Sequence, residues 1–280
     1  MVKPVGRALN IGLNGVDPKH YSGWSGQLTA CEADADDMAQ IAKSQKFGVV
    51  KKLLTKQATR SAVEAEIKDA AGKLESGALF LLTYSGHGGQ LPDLNNDEDD
   101  GQDETWCLYD GELIDDELYA LLGQFKAGVR ILVFSDSCHS GSVLKAQYYR
   151  EIQAGRAKVD ADPVKYRFMP PDVALRTYRD NKEFYDPLLK KTASREAQEN
   201  IKASALLISG CQDNQTSSDG AFNGLFTGKL LRVWNNGHFK GDYKTFWKSI
   251  GRLMPPDQTP NYYKVGAFDI DFEKQKPFTV

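Results

Sequence analysis

Two stretches of the chain are apolar at consecutive positions and then stop abruptly at small polar residues: Ala78-Leu-Phe-Leu-Leu-Thr-Tyr-Ser-Gly-His-Gly-Gly89 and Val129-Arg-Ile-Leu-Val-Phe-Ser-Asp-Ser-Cys-His-Ser-Gly141. Unbroken aliphatic and aromatic runs suit strands buried on both faces of a sheet. Arg7–Asn14, Val49–Leu54 and Ser204–Gly210 read as further strands, and Tyr262–Phe268 as an edge strand. The intervening segments have helical period. In Glu32–Phe47 the apolar residues Ala35, Met38, Ala39, Ile41 and Ala42 share a face, and acidic residues crowd the first turns, where they suit the positive helix end. Thr59–Leu74 carries Val63, Ile67, Ala70, Ala71 and Leu74 on one face, with Thr59 or Ser61 as its cap. Trp106–Tyr109 and Glu112–Ile114 read as a hairpin turning at Asp110-Gly111, and Asp115–Phe125, Phe222–Trp234 and Tyr243–Leu253 as helices. Strands alternating with helices predict an α/β fold, a three-layer sandwich whose mostly parallel sheet carries helices on both faces.

Two segments escape this pattern. Residues 94–104 form an acidic loop with no apolar face, and residues from about 145 to 202 scatter Lys, Arg, Tyr and Pro with weak periodicity. The latter predicts an insertion or linker over the surface within a single domain spanning residues 1–280. A net charge of −3, with neither a basic stripe nor an acidic excess, gives no footprint for nucleic acid or an anionic membrane. No apolar run reaches the ~20 residues of a membrane span, and Met1–Leu13 lacks a signal-peptide core. A cytoplasmic protein with free thiols is expected, since Cys31, Cys107, Cys138 and Cys211 show neither framework nor CxxC spacing.

Ligands of open α/β sheets bind beyond the carboxyl ends of the strands. There the two opening stretches deliver His87 and Cys138. A free thiol of pKa ~8.5 is mostly protonated at neutral pH, and a histidine in hydrogen-bond reach can take its proton and later protonate a leaving group. If the two strands are adjacent and parallel, the side chains meet over one sheet edge. Gly86, Gly88 and Gly89 would turn backbone N–H groups inward as an oxyanion hole. His139 is the competing histidine, but an adjacent residue usually points the other way. His20 and His238 lie in loops and are expected to be solvated. The other three cysteines read as small buried hydrophobes.

Tyr84-Ser-Gly-His-Gly-Gly89 and Asp136-Ser-Cys-His-Ser-Gly141, about 50 residues apart, resemble the paired signatures of the caspase-like cysteine peptidases, specifically metacaspases and their bacterial relatives, the orthocaspases. Cys31-Glu-Ala-Asp34 and Ser209-Gly-Cys-Gln-Asp-Asn-Gln-Thr-Ser217 are similar to supporting segments of that family. The resemblance implies Cys138 as nucleophile, His87 as general acid/base, the Gly88 and Cys138 N–H groups as oxyanion donors, and a pocket for the residue before the cut lined by Asp34, Ser85 and Asp136. Two carboxylates in one pocket repel unless a cation joins them, so the expected substrate is a protein or peptide with Lys or Arg before the cut.

The resemblance also implies a calcium site at Asp115 and Asp116, which Asp99, Asp100 and Asp103 could join. Lys145 stands where the family has a further Asp, seven residues after Cys138. No cofactor is therefore expected to be required, and the alternative for the acidic loop is a solvated segment. Self-cleavage after a Lys or Arg of residues 145–202 is expected, and a monomer by family analogy. Two other classes stay open: an inactive binding or regulatory module, and a non-peptide thiol hydrolase with the same Cys–His pair.

Overall fold

The computed structural model describes residues 5–95, 101–137, 167–190, 201–210, 223–255 and 258–280. Its main sheet has six strands in the order β2-β1-β3-β7-β8-β9: β2 Val49–Leu54, β1 Gly6–Gly12, β3 Leu79–Ser85, β7 Arg130–Asp136, β8 Ser204–Ser209 and β9 Asn261–Gly266. The first five are parallel, and β9 closes the far edge antiparallel to β8. The continuous apolar runs are explained by burial on both faces, because side chains alternate along a strand. Leu9, Ile11, Phe80, Leu82, Ile131 and Val133 face helices α2 (Arg60–Lys73) and α3 (Asp115–Leu122). Ala8, Leu79, Leu81, Leu132, Phe134, Leu206 and Ile208 face the other layer. That layer holds α1 (Cys31–Ser44), α6 (Leu225–Trp234), α7 (Tyr243–Gly251) and the short α8 (Ile270–Glu273). The three-layer arrangement expected from the pattern is present.

Capping settles where the helices begin. Thr59, not Ser61, caps α2, its hydroxyl accepting the Ala62 N–H at 3.2 Å. The residue before α1 is Ala30, which cannot cap; instead Asn14 reaches across from the end of β1, and its Oδ1 accepts the N–H groups of Cys31 at 2.9 Å and Glu32 at 3.3 Å. Gly12 permits this approach, since a Cβ there would lie 2.2 Å from the Cys31 carbonyl oxygen. Strand end and helix start are thus fastened together, which carries Asp34 to the carboxyl edge of the sheet.

Two expectations need correction. The hairpin is part of a three-stranded antiparallel sheet, β4 (Gly88–Pro92), β5 (Gln102–Leu108) and β6 (Gly111–Ile114). Its turn is Tyr109-Asp110, with Gly111 already paired to Leu108. β4 holds two glycines and a proline, a composition that propensity counts against a strand; it pairs with β5 in this small sheet. The segment expected over the surface also contributes core. Its helices α4 (Pro171–Asp180) and α5 (Lys182–Leu189) bury Val173 with Met169, Val16 and Tyr21, and Tyr185 and Leu189 with Leu91 and Ile114. Residues 145–166 and 191–200 of that segment lie outside the described residues. No helix among the described residues is long and apolar enough to cross a membrane.

Candidate active site

β3 and β7 are adjacent and parallel, with Ser85 opposite Asp136. The chain therefore leaves both strands at the same edge, and His87 follows two positions past the end of β3. Cys138 and His139 lie outside the described residues. The chain can be followed to Ser137, which is fully buried, its Oγ 2.8 Å from Ser135 Oγ.

His87 is buried and held at several points. Its carbonyl accepts the Cys107 N–H at 2.9 Å and the Tyr84 hydroxyl at 2.7 Å. The Tyr84 ring is itself stacked on Trp106, centroids 4.5 Å apart. Its Nε2 is 2.9 Å from the Gly26 carbonyl oxygen, and Trp24 covers the ring at 4.7 Å. A carbonyl can only accept, so Nε2 carries a proton; in the neutral ring Nδ1 is then the basic nitrogen. Of the three glycines around His87, Gly88 presents its N–H to the site. The Gly86 N–H is directed at the Asp136 carbonyl, 3.4 Å away, and Gly89 is paired with Thr105 in the small sheet.

Asp34, Ser85 and Asp136 come together as expected, and the space between them is filled by Arg167. Its Nη2 donates to Asp34 Oδ2 at 2.9 Å, and its Nη1 to Ser85 Oγ at 2.7 Å and to the Asp136 carbonyl at 3.1 Å. Nη1 is also 3.3 Å from Asp136 Oδ1. Ser85 relays the contact, its hydroxyl donating to Asp34 Oδ2 at 2.7 Å. The start of α6 holds both carboxylates from behind: the Gly224 N–H donates to Asp34 at 3.0 Å, and the N–H and hydroxyl of Thr227 each donate to Asp136 Oδ2 at 2.8 Å. Asn223 Nδ2 bridges Asp34 and Asp37 at 3.0 and 2.9 Å. Arg167 is 0% exposed and Asp34 1%. Burial pushes the Asp34 carboxyl up to about 6; the Arg167 guanidinium opposes this and the Asp136 charge adds to it. Two carboxylates thus face one guanidinium. The Arg167 carbonyl is held too, accepting the Gly88 N–H at 3.0 Å.

Asp103 and Asp116 are buried and Asp115 is half-buried, while Asp99 and Asp100 lie outside the described residues. Among the described residues no three His, Cys, Asp or Glu side chains are grouped to hold a metal. His20, expected to be solvated, is half-buried instead, with Nε2 2.6 Å from the Tyr185 hydroxyl; burial lowers its pKa. Cys31 and Cys107 are buried free thiols, as expected, and Cys211 lies outside the described residues.

Sequence reasoning missed Arg167, Asn223, Gly224, Thr227, Trp24 and Gly26. Arg167 was one cation among many in a segment without period, and nothing local distinguishes it. The others sit in loops or at a helix start far away in the chain, so only the fold brings them near the two strand ends.

A family model for the caspase domain matches residues 7–276. Metacaspase-1A of Aspergillus terreus is 33% identical over 253 residues, covering 80% of this chain and 60% of that protein. Metacaspase-1 of Coccidioides immitis is 32% identical, covering 80% of this chain and 52% of its own length. The chain thus spans between half and three-fifths of these curated relatives. Among solved structures, a protein from Geobacter sulfurreducens superposes with a TM-score of 0.89 at 61% identity, each chain covered to 99%. Caspase-1 of Spodoptera frugiperda superposes with a TM-score of 0.54 at 15% identity, covering 98% of this chain and 92% of that one, which is likeness of fold alone. With the strand-end signatures, the sheet order and a family match over nearly its whole length, the chain belongs to the caspase-domain family and has metacaspases among its homologues.

Proposed function

We propose that this protein is a cysteine endopeptidase that cuts its substrates after Arg or Lys. The observation that carries the reading is the guanidinium of Arg167 sealed between Asp34, Ser85 and Asp136, Ser85 standing two residues before His87 in the chain. A pocket that holds the protein's own arginine through charge-assisted hydrogen bonds offers a substrate arginine the same partners. An aspartate there would add a third carboxylate.

In this mechanism His87 Nδ1 takes the proton of the Cys138 thiol, and the thiolate attacks the carbonyl carbon of the basic residue. The Gly26 carbonyl holds the Nε2 proton in place, so the ring that results is an imidazolium oriented by a fixed acceptor. The Gly88 N–H, with that of Cys138, stabilises the oxyanion, a donor of this kind being worth ~3 kcal/mol. His87 then protonates the leaving amine, and water hydrolyses the thioester to release the acid and restore the thiol.

The test is a set of fluorogenic peptides ending in Arg, Lys or Asp, given to wild type and Cys138→Ala with and without calcium or a chelator. Cleavage after Arg and Lys, lost in Cys138→Ala, is expected. Cleavage after Asp would refute the pocket argument, and failure of well-folded protein to cleave any peptide would favour a binding module.

A further inference from the structure

The net charge of −3 conceals one local imbalance. From Leu225 to Pro255 the chain carries six Lys and Arg residues against a single acid, Asp242. Three of the six, Lys244, Lys248 and Arg252, follow at intervals of four along α7 and the residue that ends it, and all three are exposed. That spacing puts them on one face, as a cationic ridge. The other face of the helix, Tyr243, Phe246 and Ile250, is buried in the core.

Three other helices pair their exposed cations with a carboxylate four positions away: Lys68 with Glu64 and Lys73 with Asp69 on α2, Arg176 with Asp172 on α4, and Lys182 with Asp186 on α5. Among the described residues no carboxylate forms an ion pair with Lys244, Lys248 or Arg252. The charges of Asp242 and Glu273 are felt by Lys244, but both groups are engaged elsewhere. Asp242 caps α7 by accepting the Thr245 N–H at 2.7 Å, and Glu273 accepts the Tyr262 hydroxyl and the Lys264 ammonium, each at 2.8 Å. Like charges four apart on a helix repel, and Lys244 stands in the first turn, at the positive helix end. The ridge therefore works against the helix that carries it, and an anionic partner would reverse that sign.

Lys244 also borders an open cleft of about 330 Å3, bounded with it by Trp247, Pro260, Tyr262, Lys264 and Glu273. The Trp247 indole N–H is already satisfied by the Pro260 carbonyl at 2.9 Å, and its ring leans on Tyr262 with centroids 5.2 Å apart. The cleft thus offers aromatic surface, which suits an apolar or aromatic side chain. We propose that α7 and this cleft form a docking surface for an acidic segment of a partner protein, its carboxylates lying along Lys244, Lys248 and Arg252 and one apolar or aromatic side chain entering the cleft. Nucleic acid is the poorer fit. At 1.5 Å per residue the ridge spans about 12 Å, too short for the roughly six to ten phosphate contacts that sustain backbone binding, and the chain as a whole is negative. The surface uses neither Cys138 nor the Arg167 pocket, so it stands or falls apart from the peptidase reading.

The experiment titrates the full chain into a fluorescein-labelled peptide of alternating Glu and Ala with one central phenylalanine, read by anisotropy at low ionic strength. Wild type is expected to bind it at least tenfold more tightly than the same peptide with Lys in place of Glu, and added salt should erase that preference. Lys244→Glu combined with Lys248→Glu should weaken binding at least tenfold, because two exposed attractions become repulsions. Lys68→Glu combined with Lys73→Glu makes the same change in net charge on α2 and should stay within threefold of wild type; circular dichroism checks the folding of both variants. Replacing the peptide's phenylalanine by alanine should weaken binding at least threefold, and an unchanged affinity would overturn the role of the cleft. Acidic and basic peptides bound alike, or equal losses in the α7 and α2 variants, would overturn the inference. An oligothymidylate of equal length that binds more tightly than the acidic peptide, and is lost in the α7 variant, would also overturn it, giving the ridge to nucleic acid.

Discussion

Asp34→Asn keeps the shape of the pocket wall and removes one of its two charges. Asp34 Oδ2 accepts from the bound guanidinium at 2.9 Å and from Ser85, which itself accepts from the guanidinium at 2.7 Å. A hydrogen bond to a charged partner contributes about 1.5–3 kcal/mol. At tenfold per 1.36 kcal/mol, its loss should lower kcat/KM for an Arg-ending peptide roughly 10- to 150-fold near pH 8. The pH dependence is more diagnostic. Burial holds Asp34 at about 6, above the ordinary carboxylate range, with the guanidinium beside it opposing the shift. As pH falls through that value the wild-type pocket loses the same charge that the variant lacks. The ratio of wild-type to Asp34→Asn kcat/KM should therefore shrink from its full value near pH 8 towards one near pH 5. Taking the ratio cancels the pH dependence that both proteins share, and Asp136 is retained in both. The assay is a pH series from 5 to 8.5 on active-site-titrated protein. A ratio that stays constant across the series, or a variant as active as wild type at pH 8, would refute the assignment of Asp34 to cation recognition.

Two further substitutions test the surroundings of the site. In Gly224→Ala the new Cβ would lie 2.4 Å from Arg167 Cζ and from Asp136 Oδ2, inside the space a guanidinium needs; hydrolysis after Arg should fall at least 100-fold on the argument that overpacking displaces the guest, and unchanged kinetics would show that the start of α6 does not bound the pocket. Glu112→Gln addresses the buried carboxyl behind β4, whose Oε2 accepts the Thr105 hydroxyl at 2.6 Å and which burial pushes up to about 7 from 4.5. Because the folded value is raised, this group's contribution to stability is full below about pH 4.5 and lost as pH rises through 7, an effect of up to about 3 kcal/mol. The glutamine stays neutral, so urea unfolding should find the variant level with wild type at pH 5 and more stable at pH 8.5. An equal offset at both values would contradict the sign.

The amino-acid pattern alone determined the main sheet, the principal helices and the edge at which β3 and β7 end side by side. Each of those rests on local physics: an apolar run long enough for a buried strand, a period that builds one helix face, and small residues where a strand stops. It also marked Asp34, Ser85 and Asp136, although only through a family resemblance, since a carboxylate at a helix start or strand end has ordinary uses. The structure then fastened them together, through Gly12 and the Asn14 cap on one side and the α6 start on the other.

What lay beyond the sequence was which distant groups would share that edge. β4 has no strand composition and exists by pairing with β5; His87 takes its orientation from the carbonyl of Gly26, a loop glycine 61 positions earlier. Arg167 is the sharpest case. Its neighbours in the chain say surface linker, while its neighbours in space are two buried carboxylates and the Gly88 N–H. Period and propensity describe a residue's own segment. The energy of a buried charge is set by groups 31 and 133 positions away, and only the folded chain decides which those are.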